Sequence, residues 1–181
     1  MKIVLMGPRG SGKSSVATLL AQRLQLQLIN MDAMIAQRAG MTIPTLVKQY
    51  GWDHFRELES SIARDLAEYE DCVIDTGGGV VIRASNTSHL KRNGVMIFVT
   101  ADPATLIHRI KNSTSRPALT AEKSFTEEMQ EVLATRQPLY EAAADHTVNT
   151  SHLTIEQVVD DIIHYIRSRR GAVDKTTCYS C

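Results

Sequence analysis

Residues 2–15, "KIVLMGPRGSGKSS", constrain this chain more than any other stretch. An apolar-rich run is followed at once by Gly7, Gly12, Lys13 and Ser14, which fit the phosphate-loop pattern G-x-x-x-x-G-K-[ST]. The pattern needs a strand before it and a helix after it, and the sequence offers both. Its glycines let the backbone pass close to phosphates so that consecutive N–H groups point at the oxygens. Gly7, Gly10, Ser11, Gly12, Lys13, Ser14 and Ser15 are therefore the expected phosphate-binding residues. A helix over 13–24 would add its positive dipole end. Lys13 is placed to reach the β- and γ-phosphates, and the Ser14 hydroxyl to ligate Mg²⁺.

Strand-like apolar runs recur at 2–6, 26–30, 72–76, 95–100 and 146–149, with amphipathic stretches between them. Phe55, Leu58, Ile62, Leu66 and Tyr69 follow a helical period, as do Ile155, Val158, Val159, Ile162, Ile163 and Ile166. Thr154 and Gln157 suit a capping box, and Asp102 followed by Pro103 marks a further helix start. Such alternation predicts an α/β fold: a five-stranded parallel sheet covered by helices on both faces, with ligands at the carboxyl ends of the strands. No linker or repeat divides the chain, so 1–170 is expected to form one domain. The polar segment 111–124 reads as a mobile lid, and 171–181 as a disordered tail.

Composition narrows the function classes. The 20 basic residues balance the 20 acidic ones, so bulk charge holds neither nucleic acid nor a membrane surface. Any electropositive site must be local. No signal-peptide pattern and no run of 18 apolar residues is present, so a soluble, cytoplasmic protein is expected, as a monomer. Cys72 lies in an apolar run as a buried free thiol, while Cys178 and Cys181 lack a second pair to complete a zinc site.

The acceptor side is spread along the chain. Asp32 follows the second strand run; "FRELE", 55–59, places Arg56 and Glu59 on a helix; Gly77, Gly78 and Gly79 follow the third strand; "RPA" at 116–118 and "RQPLY" at 136–140 come later. Glu59 stands three residues after Arg56, a spacing that lets it orient the guanidinium. In order and spacing this series resembles shikimate kinase over roughly residues 1 to 168. That family belongs among the phosphate-loop kinases with a nucleoside monophosphate kinase-like fold.

The resemblance implies transfer of the ATP γ-phosphate to the 3-hydroxyl of shikimate, with Mg²⁺ as cofactor. It assigns Arg56 and Arg136 to the substrate carboxylate, Asp32 to its hydroxyls and to proton removal, and Gly77 to Gly79 to close backbone contact with it. Lys13, Asp32 and Arg116 would be the catalytic residues, Arg116 swinging in with the lid. Arg109 would lie against the adenine ring.

Asn30 replaces the first aspartate of the family's D-x-D, whose carboxylate holds a metal-bound water, so Asn30 is expected to act on the metal through water. Asp75, closing the third strand run, is a second metal candidate that could compensate; a turn-capping role explains it equally well. Ala36 and Ala118 also depart from the family pattern. Asp32 has a rival role as a helix N-cap. Two functional alternatives stay open: a kinase of the same fold acting on another hydroxy acid, a sugar acid such as gluconate, or a nucleotide, and a non-catalytic ATP-binding regulatory domain.

Overall fold

β1 (Lys2–Met6) is buried on both of its faces, and the sheet is built around it. The computed structural model describes the backbone of residues 1–111 and 125–176, with side-chain surroundings for 1–110 and 130–169. The remaining strands are β2 (Gln27–Asn30), β3 (Cys72–Asp75), β4 (Gly94–Thr100) and β5 (His146–Asn149). Their order is β2-β3-β1-β4-β5, and every neighbouring pair is parallel.

Alternation explains the two layers of core. Successive strand side chains point to opposite faces. Val4, Met6, Ile74, Met96 and Phe98 therefore face one side, where α2 (Met31–Ala39), α3 (Ile43–Asp65), α4 (Ala84–Lys91) and α6 (Phe125–Ala143) cover them. Ile3, Leu5, Val73, Ile97 and Val99 face the other, under α1 (Lys13–Leu24) and α7 (Ile155–Thr176). The expected α/β/α sandwich is what forms.

Local signals are met at several helix ends. Thr154 and Gln157 form the reciprocal cap of α7, with backbone-to-side-chain bonds of 2.9 and 3.3 Å. α5 (Pro103–Lys111) starts at Asp102-Pro103. Phe55 and Ile62 are buried on α3, but the helix ends at Asp65, and Tyr69, expected in the same period, is 42% exposed beyond a short 3₁₀ turn. α3 also breaks at Gly51 (φ 79, ψ 171).

α7 runs to Thr176, past Arg170, where the tail was expected to begin. Once a helix is docked, each further residue adds a hydrogen bond, and one glycine costs only about 1 kcal/mol against alanine. Residues 177–181, with Cys178 and Cys181, lie outside the described residues. So does the expected lid from 112 to 124, with Arg116.

Candidate active site

The loop after β1 is held by close packing and by its own lysine. A Cβ on Gly7 (φ +148) would sit 2.0 Å from the Val99 carbonyl oxygen, so only glycine lets the loop leave the sheet there. Lys13 donates from Nζ to the Pro8 carbonyl at 2.8 Å, closing the loop on itself. Gly12 is the left-handed N-cap of α1, whose first residues are Lys13, Ser14 and Ser15. Gly10 and Ser11 complete the turn, with Ser11 fully buried.

This loop forms one wall of a cleft of about 330 Å³. Lys13, Ser14, Asn30, Asp32, Asp75 and Gly77 are among the residues facing it. Strand register explains why residues so far apart in sequence meet. Thr76 bonds Leu5 through both its amide and its hydroxyl, which fixes the end of β3 beside β1. Asn30 and Asp75 are register partners at the ends of β2 and β3. The Asn30 Nδ2 donates to Asp75 Oδ2 at 3.1 Å, while its Oδ1 accepts from the Ala33 amide at 2.8 Å.

Asn30 is thus the N-cap of α2, and Asp32 stands inside the first turn, so the capping role considered for Asp32 belongs to Asn30. Asp75 is 5% exposed. Burial pushes its carboxyl above the usual range, while the Ser14 hydroxyl, the Lys13 charge and the Asn30 amide pull it back.

Arginines gather around the glycine run. Arg56 Nη1 donates to Glu59 Oε2 at 2.7 Å, the contact that their spacing predicts. The guanidinium also lies near the Trp52 and Phe55 rings, 5.6 and 5.0 Å from their centroids. A Cβ on Gly79 would fall 2.2 Å from both terminal nitrogens of Arg56, so that glycine keeps the arginine where it is. Arg136 donates to the Gly78 carbonyl at 2.9 Å. A Cβ on Gly77 would meet Asp32 Oδ1 at 2.9 Å and Glu59 Oε1 at 3.4 Å. Asp32, Arg56 and Arg136 therefore border one glycine turn. Glu59 is 1% exposed, and burial raises its carboxyl against the lowering pull of Arg56. Burial also lowers the Arg136 guanidinium.

On the other side of the loop a second cavity, of about 300 Å³, is lined by Gly12, Arg109, Thr150, Leu153 and Ile155 among others. Arg109 bonds the Gly10 carbonyl at 3.3 Å and the Thr150 hydroxyl and carbonyl at 2.9 and 3.1 Å. It ties the phosphate loop to the turn after β5. Leu153 and Ile155 are 40% and 43% exposed and form an apolar wall; Ile155 was expected only as part of a helical period, and Leu153 not at all.

Residues 9–167 match the family model for shikimate kinase. The chain belongs to the shikimate kinase family. A shikimate kinase of Dehalococcoides mccartyi is 38% identical over 165 residues, covering 91% of this chain and 93% of that one. The shikimate kinase 2 of Photorhabdus laumondii is 40% identical over 159 residues, covering 86% and 90%. Among solved structures, shikimate kinase from Acinetobacter baumannii in complex with shikimate superposes with a TM-score of 0.87 at 28% identity, over 93% of each chain. Family membership makes this an ATP-dependent kinase with a hydroxyl acceptor.

The donors beside Ser14 suit the magnesium such a kinase uses. They are the hard oxygens of Ser14 and Asp75, two residues that line the open cleft beside Asn30. No group of three or more His, Cys, Asp or Glu that could hold a metal occurs among the described residues. A hard cation that keeps waters and phosphate oxygens in its shell needs no such cage. Also among the described residues, no helix is long and apolar enough to cross a membrane.

Proposed function

We propose that the protein transfers the γ-phosphoryl group of ATP to the 3-hydroxyl of shikimate, giving shikimate 3-phosphate and ADP in aromatic amino-acid biosynthesis. The observation that carries this reading is the meeting of Arg56, Arg136 and Asp32 around Gly77–Gly79, a turn whose Gly77 and Gly78 line the same cleft as the phosphate loop. Two guanidinium groups suit one carboxylate, each charge-assisted bond contributing about 1.5–3 kcal/mol. Asp32 accepts hydrogen bonds from the ring hydroxyls and takes the proton as the 3-hydroxyl attacks.

Lys13 and the N–H groups of the loop bind the β- and γ-phosphates, balancing charge as the phosphoryl group leaves. Mg²⁺ bound at Ser14 and Asp75, with Asn30 alongside, would draw negative charge from the phosphate oxygens. Arg116, placed from sequence alone, closes over the same phosphates. Arg109, with Leu153 and Ile155, encloses the adenine. The protein works as a cytoplasmic monomer on ATP and shikimate.

The test is ATP turnover by the purified protein with Mg²⁺, with shikimate, gluconate or CMP as acceptor. Turnover with shikimate alone is expected. Turnover with gluconate or CMP instead would void the roles of Arg56 and Arg136. ATP binding without turnover on any acceptor would leave a regulatory ATP-binding domain.

A further inference from the structure

Two carboxylates face the main cleft, and they point to different ends of it. Asp32 lies against Gly77 in company with Glu59, on the acceptor side. Asp75 is hydrogen-bonded by the Ser14 hydroxyl and lies near the Lys13 charge, on the phosphate side. Its other side-chain partner is Asn30, and that amide is held in one orientation. Turning it over would lose both the cap on Ala33 and the donor to Asp75. Asn30 therefore acts on Asp75 as a neutral donor, leaving the carboxylate's remaining lone pairs toward the cleft.

Charge balance indicates what those lone pairs meet. A buried carboxylate is costly unless it is compensated. The positive group facing Asp75 is Lys13, the same amine that phosphates claim when nucleotide binds. Were Lys13 to turn from the Pro8 carbonyl to the phosphates, Asp75 would lose part of that compensation, and a divalent cation held at Asp75 would restore it.

We propose that Asp75, oriented by Asn30, is the carboxylate that receives the divalent cation of the bound nucleotide, so that the metal-binding charge at this sheet edge lies on β3 and not on β2. The proposal rests on the kinase reading and adds to it the residue that carries the charge. Because Asn30 and Asp75 are register partners, moving the charge from one to the other keeps it between the same two strand ends.

The experiment is an electron paramagnetic resonance titration of Mn²⁺ into the protein with ADP. The wild type, Asp75→Asn and the exchange variant Asn30→Asp/Asp75→Asn are compared. Asp75→Asn is expected to weaken Mn²⁺ binding by about 10- to 100-fold. The exchange variant should recover most of that loss, and ADP binding without metal should hold in all three proteins. Mn²⁺ affinity in Asp75→Asn within about twofold of wild type would overturn the proposal. So would an exchange variant as weak as the single one, since that outcome assigns the effect to local shape and not to charge. An equal loss of metal-free ADP binding would overturn it too. Wild-type turnover with shikimate is scored separately: its absence strikes the acceptor assignment, whereas the Mn²⁺ pattern decides the role of Asp75.

Discussion

Arg136 and Tyr140, one turn apart on α6, donate to the same acceptor. Arg136 Nη1 lies 2.9 Å and the Tyr140 hydroxyl 2.5 Å from the Gly78 carbonyl oxygen. The tyrosine is 1% exposed and stacks on Phe98 with ring centroids 4.9 Å apart. Burial pushes its hydroxyl up to about 12, so it stays a donor throughout the working range. Tyr140 and Arg136 thus hold the glycine turn through one carbonyl oxygen.

Replacing Tyr140 by Phe removes one of these donors and keeps the ring stack. The net loss for one hydrogen bond is about 1 kcal/mol. The turn loosens, and with it the backbone that faces the acceptor. KM for shikimate should rise about three- to tenfold, with KM for ATP unchanged. Steady-state kinetics in both substrates checks this, and an equal rise in both values refutes it.

Gly79 tests the close approach of Arg56. A methyl group there cannot coexist with guanidinium nitrogens 2.2 Å away, and Glu59 resists their retreat. Gly79→Ala should therefore displace Arg56 and weaken shikimate binding by about 10- to 100-fold, the worth of one charge-assisted carboxylate bond. ADP affinity should stay as it is. The chain's single tryptophan, Trp52, sits beside Arg56, so its fluorescence reports the loss directly.

How much of this was legible in the sequence depended on distance along the chain. The phosphate loop, the five strands and the Arg56–Glu59 pair were readable because each is a local spacing or a run of apolar residues. The pairing of Asn30 with Asp75 was not, because it is made by strand register between residues 45 apart. Nor was the shared acceptor of Arg136 and Tyr140, since a backbone carbonyl leaves no sequence signature. Ile155 read only as the start of an amphipathic helix, and Leu153 stands before its cap. Their place on the cavity wall comes from Arg109 pulling the Thr150 turn toward the phosphate loop. The run of α7 to Thr176 has no counterpart in the sequence pattern, because the stretch after Arg170 shows no apolar period.

Glu59 gives stability a pH dependence with a definite sign. Its carboxyl is raised above the ordinary 4.5, mainly by burial. In the interval between the unfolded and folded values the native state holds the extra proton. The stability this contributes is complete below the unfolded value and is lost as pH climbs through the folded one. Glu59→Gln removes that titration. Melting curves collected from pH 4 upward should show the wild type losing stability relative to Glu59→Gln as pH rises above about 4.5. A constant difference across that range would refute the assignment. The same substitution removes the ionic partner of Arg56, so shikimate binding should weaken as well.

Arg109 clamps the phosphate loop to the turn after β5. Its three bonds go to the Gly10 carbonyl and to the hydroxyl and carbonyl of Thr150. Thr150 in turn donates from its hydroxyl to the Ser11 carbonyl at 3.0 Å, so the arginine and the threonine form one clamp. Arg109→Ala should open the cavity beside Leu153 and raise KM for ATP about tenfold, with shikimate binding to the free enzyme unchanged. Thr150→Val cuts two bonds of the same clamp and should produce an ATP defect in the same direction. In the double variant the two losses should fall short of additive, because both mutations release the same turn. Additive losses would mean that Arg109 and Thr150 act on the nucleotide independently and not through one clamp.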